Sequence, residues 1–143
     1  MVLVLDEIKD PGNLGTIIRV CDWFGVENII CSNNSVDVYN PKVLQATMGS
    51  LARVKVHYTD IENVINQLPN DFPIYGACMD GKNVTDIVIE KDAILIIGNE
   101  SFGISKKVNQ LIKQRIIIPR QKEGAESLNV AIATSILLHE FRR

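Results

Sequence analysis

The chain contains no apolar run of the ~18 to 20 residues that a membrane span requires. It opens with no charged-then-apolar leader, so a cytoplasmic protein with no membrane partner is expected. Its three cysteines, Cys21, Cys31 and Cys78, are odd in number, and none of their spacings forms a metal knuckle or a redox pair. Reduced, buried thiols are expected, with neither disulfides nor a metal site. Charge of one sign is also lacking. Fifteen basic and 17 acidic residues leave a formal charge of −2 and a pI near 5.7, so any contact with nucleic acid must come from a local patch. No repeat, linker or low-complexity tract divides the 143 residues, of which 46% are hydrophobic. One compact domain with a sizeable core is expected.

Motifs of common α/β enzymes are missing as well. A P-loop needs GxxxxGK followed by Ser or Thr, and none is present. A dinucleotide fold needs GxGxxG after the first strand and an acidic residue ending the second. Here the first loop reads DPGNLG and the second strand ends Cys31–Ser32. No GxSxG elbow marks a hydrolase, and His57 and His139 have no partner at ligand spacing, so each is read as structural or surface.

What is present is an alternation of strands and helices. Val2 to Ile8 reads as a buried strand, broken at Asp10 to Asn13. Ile17, Ile18, Cys21 and Phe24 then recur at helical spacing, with Asp10 or Asn13 as cap, Gly25 at the end and Arg19 off the apolar stripe. Asn28 to Cys31 is a second strand, and Pro41 opens a helix that Gly49 ends. Ala52 to Tyr58 alternates as a third strand, with Arg53 and Lys55 on one face, and Asp60 caps Ile61 to Leu68. Ile74 to Cys78, Ala93 to Ile97 and Arg115 to Ile118 complete six strands. A strand as apolar as Ala93 to Ile97 must be covered on both faces. The pattern predicts a three-layered, mostly parallel α/β sheet.

The closing stretch, IIIPRQKEGAESLNVAIATSILLHEF, runs from a strand through a roomy polar loop to an apolar helix capped by Ser127 or Asn129. At the carboxyl ends of parallel strands, free helix amides and the positive end of the dipole collect ligands. Two other loops share that character: Asp10 to Gly15 and Gly98 to Ser105.

At these three loops the sequence resembles the SpoU, or TrmH-like, family of the SPOUT superfamily, RNA ribose 2′-O-methyltransferases. LDEIKDPGNLGTIIRVCDWFGV resembles the first motif, carrying Asn13 and Arg19; ILIIGNESFGIS the second, with Glu100; IPRQKEGAESLNVAIA the third, with Ser127, Leu128 and Asn129. The resemblance implies a C-terminal trefoil knot, a rare exception to unknotted chains, with S-adenosylmethionine as cofactor and an RNA substrate, rRNA or tRNA. It implies a homodimer with its site at the subunit interface. The implied cofactor site comprises Ala77, Cys78 and Met79; Gly98, Asn99, Glu100 and Gly103; and Ile118, Pro119, Ser127, Leu128 and Asn129. Arg19, Asn13, Glu100, Ser127 and Asn129 are the implied catalytic set. Many relatives carry an RNA-binding domain ahead of the first motif, so residues 1–143 are read as the catalytic domain without it. A non-catalytic knotted module that binds S-adenosylmethionine or RNA is the alternative.

Moving a methyl group from a sulfonium to a hydroxyl needs in-line placement and removal of one proton. A guanidinium with a pKa above ~12 is a poor base, so Arg19 either handles that proton or positions phosphate and stabilises the forming alkoxide. Glu100 orients Arg19 or takes the proton. Trp23 is read as packing or as part of a dimer interface, and Arg120 and Lys122, flanking the third motif, are candidate phosphate contacts.

Overall fold

The computed structural model describes residues 1–143. In chain order the elements are β1 (Val2–Leu5), α1 (Pro11–Trp23), β2 (Asn28–Ser32), α2 (Pro41–Thr47), β3 (Lys55–Thr59), α3 (Ile61–Ile65), β4 (Ile74–Asn83), β5 (Ile94–Ile97), α4 (Lys106–Asn109), β6 (Gln114–Ile117) and α5 (Val130–Arg142). The six strands form one sheet in the order β3-β2-β1-β5-β4-β6, and every pairing is parallel.

Alternation along the central strands explains the three layers. Leu3 and Leu5 of β1, with Leu95 and Ile97 of β5, join the larger core under α1 and α5. Val4, Ile94 and Ile96 point the other way, into a second cluster with Ile61 and Ile65 of α3 and Val108 of α4. Neither face of these central strands is wetted, as the middle of a parallel sheet requires, whereas the edge strand β3 exposes Lys55 and His57.

The helix starts follow their caps. Asp10 accepts from the Asn13 amide at 2.7 Å, and Asn129 accepts from Ala131 and Ile132 at 2.9 and 3.3 Å. α1 and α5 run parallel, side by side. Asn129 meets Asn13 at one end, and Arg142 donates to the Phe24 and Gly25 carbonyls at the other.

The structure corrects several expectations. β1 ends at Leu5, because Asp6 turns its carboxylate to the Ser105 amide and Glu7 takes a positive φ of 58°. The third strand begins at Lys55: Ser50–Ala52 is a 3₁₀ turn, and Arg53 leaves the sheet to pair with Asp22. α3 stops at Ile65, and Met48 itself takes the left-handed cap of α2. The four-residue α4 was not foreseen. Leu128 lies outside α5 and is 49% exposed. β4 runs on to Asn83, and this extension shapes the site.

Candidate active site

β5, β4 and β6 are neighbours in the sheet, so the segments at their carboxyl ends lie side by side. One is the excursion within β4. Ala77 pairs with Ile116, the chain bends away through Cys78 to Gly81, and Lys82 returns to pair with Ile116 again. The excursion hugs β6 so closely that a Cβ on Gly81 would lie 2.4 Å from the Ile116 amide nitrogen. Only glycine fits.

The second segment follows β5. Asn99 and Gly103 exchange backbone hydrogen bonds of 2.9 Å, closing a small hairpin with Glu100, Ser101 and Phe102 at its tip. Asn99 is buried and secures both sides, donating to the Glu7 carbonyl at 2.7 Å and accepting from the Ser101 amide at 2.8 Å. The Asp6 carboxylate accepts from the Ser105 amide at 2.7 Å and ties the far end to β1. Gly98 lies so near Gly103 and Ile104 that a Cβ would approach their backbone to 2.3 Å. The third segment, Ile118 to Asn129, runs from β6 to α5 and is exposed from Arg120 onward.

Side chains from all three motifs meet at Asn13. Its Nδ2 donates to Glu100 Oε1 at 3.1 Å, and its Oδ1 accepts from Asn129 Nδ2 at 3.0 Å. An amide suits this position because it carries a donor nitrogen and an acceptor oxygen on separate atoms of one planar tip. The result is a polar chain, Asn129 to Asn13 to Glu100, between the N-termini of α1 and α5. A carboxylate held there with its second oxygen free can accept a proton or orient a cation.

Of the five expected catalytic residues, the structure joins these three. Ser127 stands exposed in the third segment, two residues from the cap of α5, and makes no hydrogen bond within the chain. Arg19 lies six residues beyond Asn13, about 120° round the helix by its 3.6-residue period. It is exposed and takes part in none of the chain's ion pairs, which involve other cations throughout. All twelve expected cofactor residues fall on the three segments. Cys78 is half-buried and Met79 exposed, on the excursion; Asn99 is buried and Glu100 exposed, on the hairpin; Ile118 and Pro119 are half-buried, at the exit of β6.

Sequence reasoning passed over the groups that hold these segments in place. They are Asp6, Gly81, and a guanidinium bridge in which Arg115 reaches both Asp80 and Asn109. Gly81 stands in the polar stretch Met79 to Asn83, which shows no strand pattern, so the sequence carries no local signal of its close packing against β6. Arg115 and Asp80 are 35 positions apart, and nothing local announces such a pair. No group of three or more His, Cys, Asp or Glu stands together in a way that could hold a metal ion, and no helix is long and apolar enough to cross a membrane.

Residues 1–139 match the SpoU rRNA Methylase family. Among curated proteins, the Bacillus subtilis 23S rRNA (guanosine(2553)-2′-O)-methyltransferase RlmP is 32% identical, with 99% of this chain and 57% of the relative aligned. A TrmH-family protein from Porphyromonas gingivalis superposes with a TM-score of 0.91 at 42% identity, over 99% of this chain and 58% of that one. The AdoMet-bound rRNA methyltransferase from Sinorhizobium meliloti gives 0.90 at 33% identity, over 99% and 55%. The chain thus spans little more than half the length of these relatives. A match over nearly its whole length, with the three motifs converging on one edge of the sheet, means that this chain belongs to the SpoU rRNA methylase family.

Proposed function

We propose that these 143 residues form the catalytic domain of an RNA ribose 2′-O-methyltransferase that uses S-adenosylmethionine. The observation that carries this reading is the convergence of Asn13, Glu100 and Asn129, one from each motif, beside the three adjacent segments. Relatives solved with AdoMet share the fold at 33% and 28% identity. In this reading the channel proposed for the cofactor is bounded by the β4 excursion, the β5 hairpin and the β6–α5 segment, whose backbone groups would hold its adenosine and methionine parts. Bound there, the cofactor supplies the electrophilic methyl group. The same reading includes the trefoil knot, for which the double pairing of β4 with Ile116, through Ala77 and again through Lys82, is the supporting feature.

The chain's own residues handle the other half of the reaction. Glu100, fixed through Asn13, orients the cation or takes the hydroxyl proton, and Asn129 keeps Asn13 in the required amide orientation. Ser127 supplies a neutral hydrogen bond at the same rim. Arg19 has no anionic partner in its own chain, which leaves its fork for a substrate phosphate or the forming alkoxide. Arg120 and Lys122 are the candidate phosphate contacts of the third segment, in which Glu123 and Glu126 balance their charge, and rRNA or tRNA is the substrate class. A homodimer, with Arg19 at the shared face, completes the proposal.

The test is transfer of labelled methyl from S-adenosylmethionine to rRNA and tRNA pools with nucleoside mapping, comparing wild type with Arg19→Ala. The substitution removes an exposed charge and no core volume, so folding and cofactor affinity should hold. Single-turnover transfer should fall by about 10²- to 10⁴-fold. Retention of more than about a third of the rate, or loss of cofactor binding in step with activity, would remove Arg19 from the chemistry and leave Glu100 as the leading group. A ribose left unmethylated by wild type in every pool, while the cofactor binds, would favour the non-catalytic module.

A further inference from the structure

The excursion from Cys78 to Gly81 has an inside and an outside. Inside, Gly81 is pressed against the β6 backbone at Ile116, so the bend cannot tighten. Outside, it is fastened by one side chain. Arg115 of β6 donates from Nε and Nη2 to Asp80 Oδ1 at 3.1 and 2.6 Å, and its remaining Nη1 donates to Asn109 Oδ1 at 2.6 Å. Asn109 is the last residue of α4, the helix that begins directly after the hairpin bearing Glu100. A single planar fork therefore ties the excursion to the end of α4. Lysine copies this poorly, since its ammonium donates from a single point on a flexible stem and lacks the rigid edges from which the guanidinium faces Asp80 and Asn109 at once.

The exposure of the pair limits what it can be for. The Asp80 side chain is 71% exposed and that of Arg115 39%. Ion pairs in such a setting contribute little to global stability. A tie that barely stabilises the fold still fixes the shape of the loop it holds, and a loop already ordered before binding loses less freedom when the ligand arrives. The hydrogen bonds from Arg115 hold the Asp80 carboxyl below its usual range, so the tie persists across neutral pH.

We propose that Arg115 is a positioning residue for the cofactor, holding the Cys78–Gly81 excursion through Asp80 and registering it through Asn109 to α4, the helix that follows the Glu100 hairpin. This rests on the reading that the channel takes S-adenosylmethionine. The Arg115 guanidinium is already taken up by Asp80 and Asn109, so its effect should appear in cofactor affinity rather than in the chemical step.

Calorimetric titration of S-adenosylhomocysteine into the full chain tests it, using wild type, Arg115→Gln, Arg115→Lys, Asp80→Asn, the Arg115→Gln/Asp80→Asn double variant and Arg53→Gln. The last breaks an exposed ion pair of the same kind, with Asp22, on the opposite half of the sheet. Arg115→Gln and Asp80→Asn should each weaken binding by about 3- to 10-fold, and the double variant no more than the worse single one, because both remove one tie. Arg115→Lys should recover little, and Arg53→Gln should bind as wild type does. With S-adenosylmethionine and RNA, the loss should appear in the cofactor KM and not in kcat. Asp80→Asn, nearly isosteric and exposed, preserves the test if Arg115→Gln folds poorly.

Wild-type affinity in both Arg115→Gln and Asp80→Asn would overturn the proposal, as would a loss that merely follows the folded fraction seen in thermal unfolding. If wild type itself fails to bind at millimolar ligand, the cofactor reading fails, and this proposal with it. That outcome is distinguishable from the others by the wild-type titration alone.

Discussion

Three cysteines in three settings make the thiols a probe of individual residues. Burial pushes Cys31 up to about 12 and Cys21 further still, with Cys31 nearby adding to the second shift. Cys78 is half-buried, raised first by burial and drawn back by the Arg115 guanidinium. Since the thiolate is the reactive species, maleimide at mildly alkaline pH should label the folded chain once, at Cys78, with Cys21 and Cys31 reacting only after denaturation. Peptide mass spectrometry reads the site. S-adenosylhomocysteine should slow that labelling, because Cys78 sits on the excursion that lines the proposed channel. Equal labelling of all three would contradict the packing of α1 and β2, and indifference to the ligand would take Cys78 out of the lining.

At the level of elements, the excursion of β4 makes a sharp demand. Gly81→Ala would place a methyl group 2.4 Å from the Ile116 nitrogen, against backbone that cannot swing aside. It should cost about 1–3 kcal/mol or more, read as a lowered denaturant midpoint with an unchanged slope. Gly124→Ala, with nothing within 4 Å of the new methyl, is the control and should be neutral. Equal stability of the two variants would mean that β6 does not lie where the excursion encloses it. This element also marks the boundary of what the sequence revealed. Asp10, Asn129 and the all-apolar Ala93–Ile97 announce caps and a doubly covered strand through local chemistry, so the helices and the central sheet were readable. The far half of β4, Met79 to Asn83, is polar and carries a glycine, and its strand character comes only from pairing with β6. α4 is too short to display a period. The meeting of Asn13, Glu100 and Asn129 joins residues 87 and 116 positions apart, so their convergence came from the family motifs and not from any pattern of spacing.

For the whole molecule, the open question is what covers the outer strip of α1 and α5. The two helices are tied at both ends, Asn13 to Asn129 and Phe24 to Arg142, which sets Arg19 level with Ile136 and Trp23 near the carboxyl end of α5. Trp23 is 85% exposed, Ile132 52% and Ile136 37%, apolar side chains on the two helices with Arg19 between their ends and Arg142 at the Trp23 end. A second copy of the same strip is the proposed cover, which would place Arg19 at the shared face, and a two-fold contact uses every such residue twice. Trp23→Arg tests this cleanly. In the single chain the indole touches little, and a cation in the last turn of α1 agrees with the helix dipole, so the variant should fold as wild type does. A tryptophan buried at the centre of an interface is commonly worth 2 kcal/mol or more, so dimerisation should weaken by about 30-fold or beyond. By sedimentation, wild type should run at twice the 15.9 kDa chain mass and Trp23→Arg near the chain mass itself at micromolar concentration. A monomeric wild type would dispose of the dimer, and a dimeric Trp23→Arg would move the interface elsewhere. If Trp23→Arg is monomeric yet transfers methyl at the wild-type rate, each chain holds a complete site, and Arg19 must then serve the substrate of its own protomer.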